Sequence, residues 1–299
     1  MIPVIVNATS GPGHSESGLE DLRRRFEAAG VQVEVMPARD GAQLTELARK
    51  AMARSPQLVI VGGGDGTVSA VAQVTRGTHT ALGILPLGTL NHFARDLKLP
   101  LALDEAITVA LTGRRVAVDM AEVNGVAFLN NSSIGVYPDM VRDRKRQQRK
   151  LGRSKRMAML WAILATVRRS PLLRMVLELD GKSHEFRAPF VFVGNNDYVM
   201  EGFQIGQRER LDAGKLSIYT TRRYTTIGLF KLAWHALTRQ LHQDRDFMEM
   251  AARSLTVALR HKRILVSTDG EVTPMQTPLE YRILPGTLLV MAAQTEVTP

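Results

Sequence analysis

The sequence contains no cysteine, which removes disulfides, thiolate nucleophiles and cysteine-ligated metal centres from consideration. That absence is compatible with a reducing cytoplasm, where the protein is expected. Long apolar runs are missing too. The longest, Met157 to Val167, is too short to span a bilayer and is bounded by Arg156 and by Arg168-Arg169. No basic leader region is present, and Met1 to Val6 is expected to form a first strand, not a signal peptide. Internal repeats and low-complexity linkers are absent as well. Negative charge is scarce: 39 Lys and Arg stand against 29 Asp and Glu, a formal net charge of +10. Such an excess favours a polyanionic partner, whether nucleic acid, an anionic membrane or a phosphorylated substrate, and composition does not choose among them.

What remains is an ordinary globular composition, 44% hydrophobic and 23% charged over 299 residues, enough for one large domain or two of usual size. The first third alternates strand and helix signals. Ile2–Val6 is an apolar run ending in a Ser/Gly-rich loop, and Leu19, Leu22 and Phe26 recur at helical spacing until Gly30. Val31, Val33 and Val35 alternate as a strand, and Leu44, Leu47, Ala48, Ala51 and Met52 mark another helix face. Leu58–Val61 and Ala81–Leu85 are buried-strand runs, with a helix carrying Val68, Val71 and Ala72 between them. This rhythm predicts a mainly parallel sheet covered by helices, whose ligands bind beyond the carboxyl ends of the strands. Asn7–Ser15, Gly62–Thr67 and Pro86–Asn91 all fall at such ends.

From about Val116 the pattern changes to short alternating runs. Asn124-Gly125 and Asp180-Gly181 are hairpin signals, and Leu173, Met175, Leu177 and Leu179 alternate as in a half-buried antiparallel strand. Phe190–Val193, Leu216–Tyr219, Leu255–Leu259, Ile264–Val266 and Leu288–Met291 supply further strands, with helical inserts near Met157–Val167 and Ile227–Leu241. The expected fold class is α/β, an N-terminal βαβ parallel-sheet domain followed by a β-rich, β-sandwich-like domain. The active site is expected in the cleft between them.

The segment Gly62-Gly63-Gly64-Asp65-Gly66-Thr67 carries the strongest chemical signal. A buried strand delivers the chain to a turn almost devoid of side chains, so backbone N–H groups can approach phosphate oxygens. A helix N-terminus follows and favours negative charge. Asp65 would repel a phosphate unless a cation bridged the two, which points to Mg²⁺ beside a nucleoside triphosphate. No Lys-Ser/Thr pair completes a Walker A loop, and Thr67 stands where a dinucleotide fingerprint requires its last glycine. A purely structural glycine turn is the competing reading, and four glycines around one Asp weigh against it.

GGGDGT resembles the nucleotide loop shared by the diacylglycerol kinase catalytic domain family, the NAD kinases and, more distantly, the phosphofructokinases. Three further segments select the first. Asn7-Ala8-Thr9-Ser10-Gly11 is similar to its opening N-P-x-S-G, and Pro86 to Arg95, PLGTLNHFAR, to its P-x-G-T-x-N-D-[FL]-A-R. Asp269-Gly270-Glu271 is similar to its late D-G-E turn. The resemblance implies a nucleotide-binding α/β domain over 1–117, a β-rich lipid-substrate domain over 118–285 and a terminal strand, 286–299, returning to the first. It implies ATP and Mg²⁺ as cofactors, with Asn7, Ser10, Gly62, Gly63, Gly64, Gly66, Thr67, Gly88, Thr89 and Asn91 around the nucleotide. Asp65 would hold phosphates and metal, Glu271 would help to position Mg²⁺, and Asp269 would be the general base for a lipid hydroxyl. The sequence departs from the family at His92, where many relatives have Asp, and at Asp212-Ala213-Gly214, where Asp-Asp-Gly supplies a structural metal ligand. Taken without the resemblance, Asp269-Gly270 reads as a polar hairpin turn.

Arg142 to Arg156, RDRKRQQRKLGRSKR, carries nine basic residues against one acid, and an apolar stretch with Trp161 follows it. Beside a lipid substrate this reads as a peripheral contact with anionic membrane; a solvated helix with a core-facing stripe is the competing reading. The stretch has no interleaved aromatics or nucleic-acid motif, so no nucleic acid is expected. The expected function is a lipid kinase acting on diacylglycerol or a sphingoid base. An NAD kinase-like enzyme and a non-catalytic nucleotide- or lipid-sensing module are the alternatives.

Overall fold

The structure is a computed structural model that describes residues 1–8, 15–135, 173–199, 208–221 and 247–294. The chain divides into two compact units. The first comprises Met1–Met120, Arg210–Asp212 and Leu284–Pro299, and the second comprises Ala121–Glu209 and Ala213–Ile283.

The first unit begins with the alternation β1 (Ile2–Asn7), α1 (Glu16–Ala28), β2 (Val33–Ala38), α2 (Gly41–Met52), β3 (Leu58–Gly63), α3 (Asp65–Thr75) and β4 (Ala81–Pro86). The four strands form a parallel array in the order β2-β1-β3-β4. Val4, Ile5 and Val6 are all fully buried, as a strand covered on both faces requires. Leu22 and Phe26 of α1 pack on Val4, Val6, Ile60 and Leu85. The same cluster takes Ala106, Ile107 and Ala110 from α5 (Leu103–Thr112), which follows the short α4 (His92–Asp96). Ser15 caps α1 by accepting from the Gly18 N–H at 3.1 Å, and Asp40 caps α2 by accepting from Gln43 at 2.9 Å. The N-cap of α3 is Gly64, which has no side chain to perform that task.

The second unit is antiparallel. β5 (Arg114–Val123) enters it and turns at Asn124-Gly125 into β6 (Val126–Phe128), which leads to β7 (Asn131–Gly135). β8 (Leu173–Leu179), β9 (Lys182–Ala188), β10 (Phe190–Asn195), β11 (Leu216–Thr221), β12 (Phe247–Ala252), β13 (Ser254–Leu259), β14 (Arg263–Thr268) and β15 (Glu271–Gln276) complete it with the first part of β16 (Leu279–Ala292). Six strands form one sheet in the order β12-β11-β10-β7-β14-β15; β9, β8, β13 and β16 adjoin in the other. Ile134, Val193, Ile218 and Val266 from the former and Leu177, Val257 and Tyr281 from the latter share one apolar core. Three hairpins turn on Asn124-Gly125, Asp180-Gly181 and Asp269-Gly270, each with positive φ at both residues. Asx-Gly pairs are favoured there because both central residues of such a turn must be left-handed. β16 continues past residue 283 into the first unit, where Val290 pairs in parallel with Leu82 of β4.

The β-strand alternation expected over 173–179 is present, with Met175 and Leu177 buried and Arg174, Val176 and Glu178 exposed. The second strand starts at Val33, two residues later than the Val31–Val35 alternation predicts. The helical inserts expected near Met157–Val167 and Ile227–Leu241 lie outside the described residues. Among the described residues no helix is long and apolar enough to cross a membrane.

Candidate active site

In the first unit, β1, β3 and β4 all deliver their carboxyl ends to one edge of the parallel array. Gly62 and Gly63 are still strand, Gly64 is the N-cap, and Asp65, Gly66 and Thr67 form the first turn of α3. The motif expected as a loop is therefore a direct strand-to-helix junction. Two glycines there are dictated by space. A Cβ on Gly88 would lie 2.3 Å from the Gly64 Cα, and one on Gly63 would lie 2.5 Å from the Thr67 side chain. The two loops thus cross backbone to backbone, and the Leu87 N–H donates to the Gly63 carbonyl at 3.1 Å.

Side chains brace this crossing. Asn7 Nδ2 donates to the Thr67 hydroxyl at 3.1 Å, which ties the end of β1 to α3. Asn91 is buried and left-handed, with φ of 51°, a conformation Asn tolerates better than most residues. Its Oδ1 accepts from the Gly88 N–H at 2.9 Å, while Nδ2 donates to the Pro86 and Gly88 carbonyls at 3.1 and 2.8 Å. Asn91 therefore shapes the 86–91 loop from within. Asp65 Oδ1 accepts from the Phe93 N–H at 3.0 Å, joining the first turn of α3 to α4. Gly66, Thr89 and His92 are exposed. Ser10 lies outside the described residues, as does the basic stretch 142–156.

In the second unit Asp269 and Gly270 form the tight turn between β14 and β15, with φ of 48° and 84°. The Asp269 carboxylate accepts three backbone N–H groups: Leu129 at 2.8 Å on Oδ2, and Asn130 at 2.8 Å and Asn131 at 3.1 Å on Oδ1. Its own N–H donates to the Asn131 carbonyl at 2.9 Å. Such charge-assisted bonds fix its orientation. Glu271, the first residue of β15, is exposed. Asp212, beside Ala213, pairs with Arg210 at 3.0 Å, and that guanidinium holds its carboxyl below the usual carboxylate range.

The residues around the glycine crossing fit a nucleotide phosphate with Mg²⁺. The crossing excludes side chains from a strip that a phosphate can approach, and the amides that open α3 carry no side-chain cap. Among the described residues no three His, Asp or Glu side chains converge as a metal site. A divalent ion beside Asp65 would draw most of its ligands from phosphate and water, the habit of Mg²⁺. Sequence reasoning missed the amides of 129–131, since a carboxylate's backbone partners leave no local signature; the Asn130-Asn131 pair at the start of β7 was the one visible hint.

Known families match most of the chain. Residues 1–123 match the diacylglycerol kinase catalytic domain, and residues 135–292 match the YegS C-terminal NAD kinase beta sandwich-like domain. A Citrobacter koseri protein named "Probable lipid kinase YegS-like" is 26% identical over 293 residues, 96% of this chain and 95% of that protein. A Yersinia enterocolitica protein of the same name is 35% identical over 129 residues, 41% of this chain and 44% of that one. A solved diacylglycerol kinase structure from Bacillus anthracis shares the fold, with a TM-score of 0.72 at 22% identity over 99% of this chain and 98% of that one. The chain belongs to the diacylglycerol kinase catalytic domain family, among those members that carry the YegS-type C-terminal domain.

Proposed function

We propose that the protein is an ATP-dependent lipid kinase that transfers the γ-phosphoryl group of ATP to a hydroxyl of a membrane lipid such as diacylglycerol or a sphingoid base. The observation that carries this reading is the side-chain-free crossing of Gly64 and Gly88 at the uncapped N-terminus of α3, with Asp65 in its first turn. The lipid acceptor is supported by the names of the full-length relatives.

In this reading Gly62, Gly63, Gly64 and Gly66 let backbone amides reach the phosphates. Asn7 fixes the Thr67 hydroxyl beside them, and Asn91 fixes Gly88 through both its N–H and its carbonyl. Asp65 would hold Mg²⁺, which would neutralise phosphate charge, and Glu271 would help to position it. The acceptor oxygen bonds to the γ-phosphorus as the bond from that phosphorus to the bridging oxygen breaks, and ADP leaves. The acceptor proton passes to Asp269. Phosphoryl transfer of this kind has a loose transition state, so the base needs orientation more than strength. The pinned carboxylate of Asp269 meets that need. The basic stretch 142–156 would give peripheral contact with anionic membrane, at about 1 kcal/mol per basic residue near the surface.

A soluble-metabolite kinase is the second reading, because the second family is described as NAD kinase-like. One assay separates the two: γ-labelled ATP and Mg²⁺ with vesicles holding diacylglycerol, a sphingoid base, ceramide or phosphatidylglycerol, beside a parallel reaction with NAD. Label in the lipid phase supports the lipid kinase. Label in NAD alone overturns it, and ATP binding without transfer to any acceptor marks a sensing module.

A further inference from the structure

Arg208 is a charged residue with only 5% of its surface exposed, and no motif accounts for it. Its Nη1 donates to the Leu129 carbonyl at 2.7 Å and to the Asn195 carbonyl at 3.2 Å, and its Nη2 donates to Asn130 Oδ1 at 2.8 Å. The guanidinium carbon lies 5.3 Å from the centre of the Tyr198 ring. Asn195 reinforces the grip: its Nδ2 donates to the Leu129 carbonyl at 2.8 Å and its backbone N–H to the Asn130 carbonyl at 2.9 Å.

The Leu129 carbonyl and the Asn130 N–H belong to one peptide group. That group is planar, so holding its oxygen fixes the direction of its hydrogen. The hydrogen points to Asp269 Oδ1, at 2.8 Å between heavy atoms. The next peptide is held in the same way, with its carbonyl on Asn195 and the Asn131 N–H on Asp269. Two consecutive peptides are thus gripped on one side by Arg208 and Asn195 and present their amides to the carboxylate on the other. Donors on the oxygen also polarise each amide and strengthen the bond its hydrogen makes.

We infer that Arg208 is a positioning residue for the proposed general base: acting through the Leu129–Asn130 peptide, it sets the place and orientation of the Asp269 carboxylate. This rests on the role proposed above for Asp269. A buried guanidinium is costly to desolvate, and two neutral donors would satisfy the same acceptors. What Arg adds is a rigid planar fork that holds the Leu129 carbonyl and Asn130 Oδ1 at fixed separation. A base must lie within hydrogen-bond reach of the proton it takes, and a misplacement of about 1 Å costs about a hundredfold in rate.

The test uses the full chain with MgATP and the lipid acceptor found in the vesicle screen. Arg208→Lys, Arg208→Gln and Asp269→Asn are compared with Gly181→Ala, which strains the remote β8–β9 turn through its φ of 85°. Expected is a fall in kcat of about a hundredfold for Arg208→Gln and about tenfold for Arg208→Lys, with the KM for MgATP within about twofold of wild type. The KM for the lipid acceptor likewise stays within about twofold, so the loss falls on kcat, as misplacement of a base requires. Gly181→Ala lowers the melting temperature and leaves kcat within about twofold of wild type. If Arg208→Gln does not fold, Arg208→Lys decides. A folded Arg208→Lys with kcat within about threefold of wild type, or with a loss carried by KM and not by kcat, overturns the inference. When Asp269→Asn is inactive and the Arg208 variants are not, the inference alone falls; full activity in Asp269→Asn removes the base and its positioning residue together.

Discussion

Asp65-Gly66 and Asp269-Gly270 are the same dipeptide in two opposite settings. In the first unit the Asp opens a helix, where the dipole favours its charge, and Oδ1 accepts the Phe93 N–H. In the second unit the Asp is left-handed in a hairpin, with three N–H groups on its carboxylate. The neighbouring glycines differ in kind as well. Gly88 is required because a side chain there would strike the Gly64 backbone, whereas Gly270 is required because its φ is 84°. One carboxylate sits in the first turn of a helix whose N-terminus no side chain caps; the other is clamped by three backbone N–H groups. The difference teaches that the surrounding hydrogen bonds, and not the dipeptide, assign the task.

The comparison can be broken in four ways. The largest effect is expected from the two carboxylates: Asp65→Asn and Asp269→Asn should each lower kcat by about a thousandfold or more. Their signatures should diverge. Asp65→Asn weakens MgATP binding in calorimetry, while Asp269→Asn leaves it within about twofold and costs about 1–3 kcal/mol of stability, because an amide cannot satisfy three N–H donors. Equal binding losses in both would erase the distinction. Next, Gly88→Ala forces the crossing apart and should raise the Kd for MgATP about tenfold, equivalent to about 1.4 kcal/mol. Unchanged affinity would show that the crossing does not touch the nucleotide. Glu271→Gln follows, with a fall in kcat of about tenfold if this exposed carboxylate helps to place Mg²⁺, and with no change in melting temperature. Smallest is Gly270→Ala, which strains the turn by about 1 kcal/mol and should lower the melting temperature by about 2–4 °C.

Much of the fold was legible in the sequence, and the exceptions have physical causes. The four parallel strands stand out because burial on both faces demands unbroken β-branched runs such as Leu58–Val61. Hairpins were legible wherever Asx-Gly supplied two left-handed residues. β16 was foreseen only over Leu288–Met291, because Pro285-Gly286 reads as a break; the strand instead runs through it, with Gly286 at φ of 60° and its N–H on Asp119. β12 was missed because its Phe-Met-Glu-Met-Ala-Ala sequence has weak strand propensity and is held by its pairing with β11. In the site, Asp65 and Asp269 were legible from motifs. Arg208 was not: the groups it grips on Leu129 and Asn130 are 79 and 78 residues away in sequence, and nothing local to it announces them.

We propose that Asp65 and Asp269 serve one transfer reaction. It is tested most directly by following γ-labelled phosphate from MgATP into diacylglycerol vesicles with wild-type protein, Asp65→Asn and Asp269→Asn, each checked for folding by thermal unfolding. The account predicts label in the lipid phase for wild type, none above background for either variant, and intact MgATP binding in Asp269→Asn. Transfer by folded Asp269→Asn at the wild-type rate would contradict it.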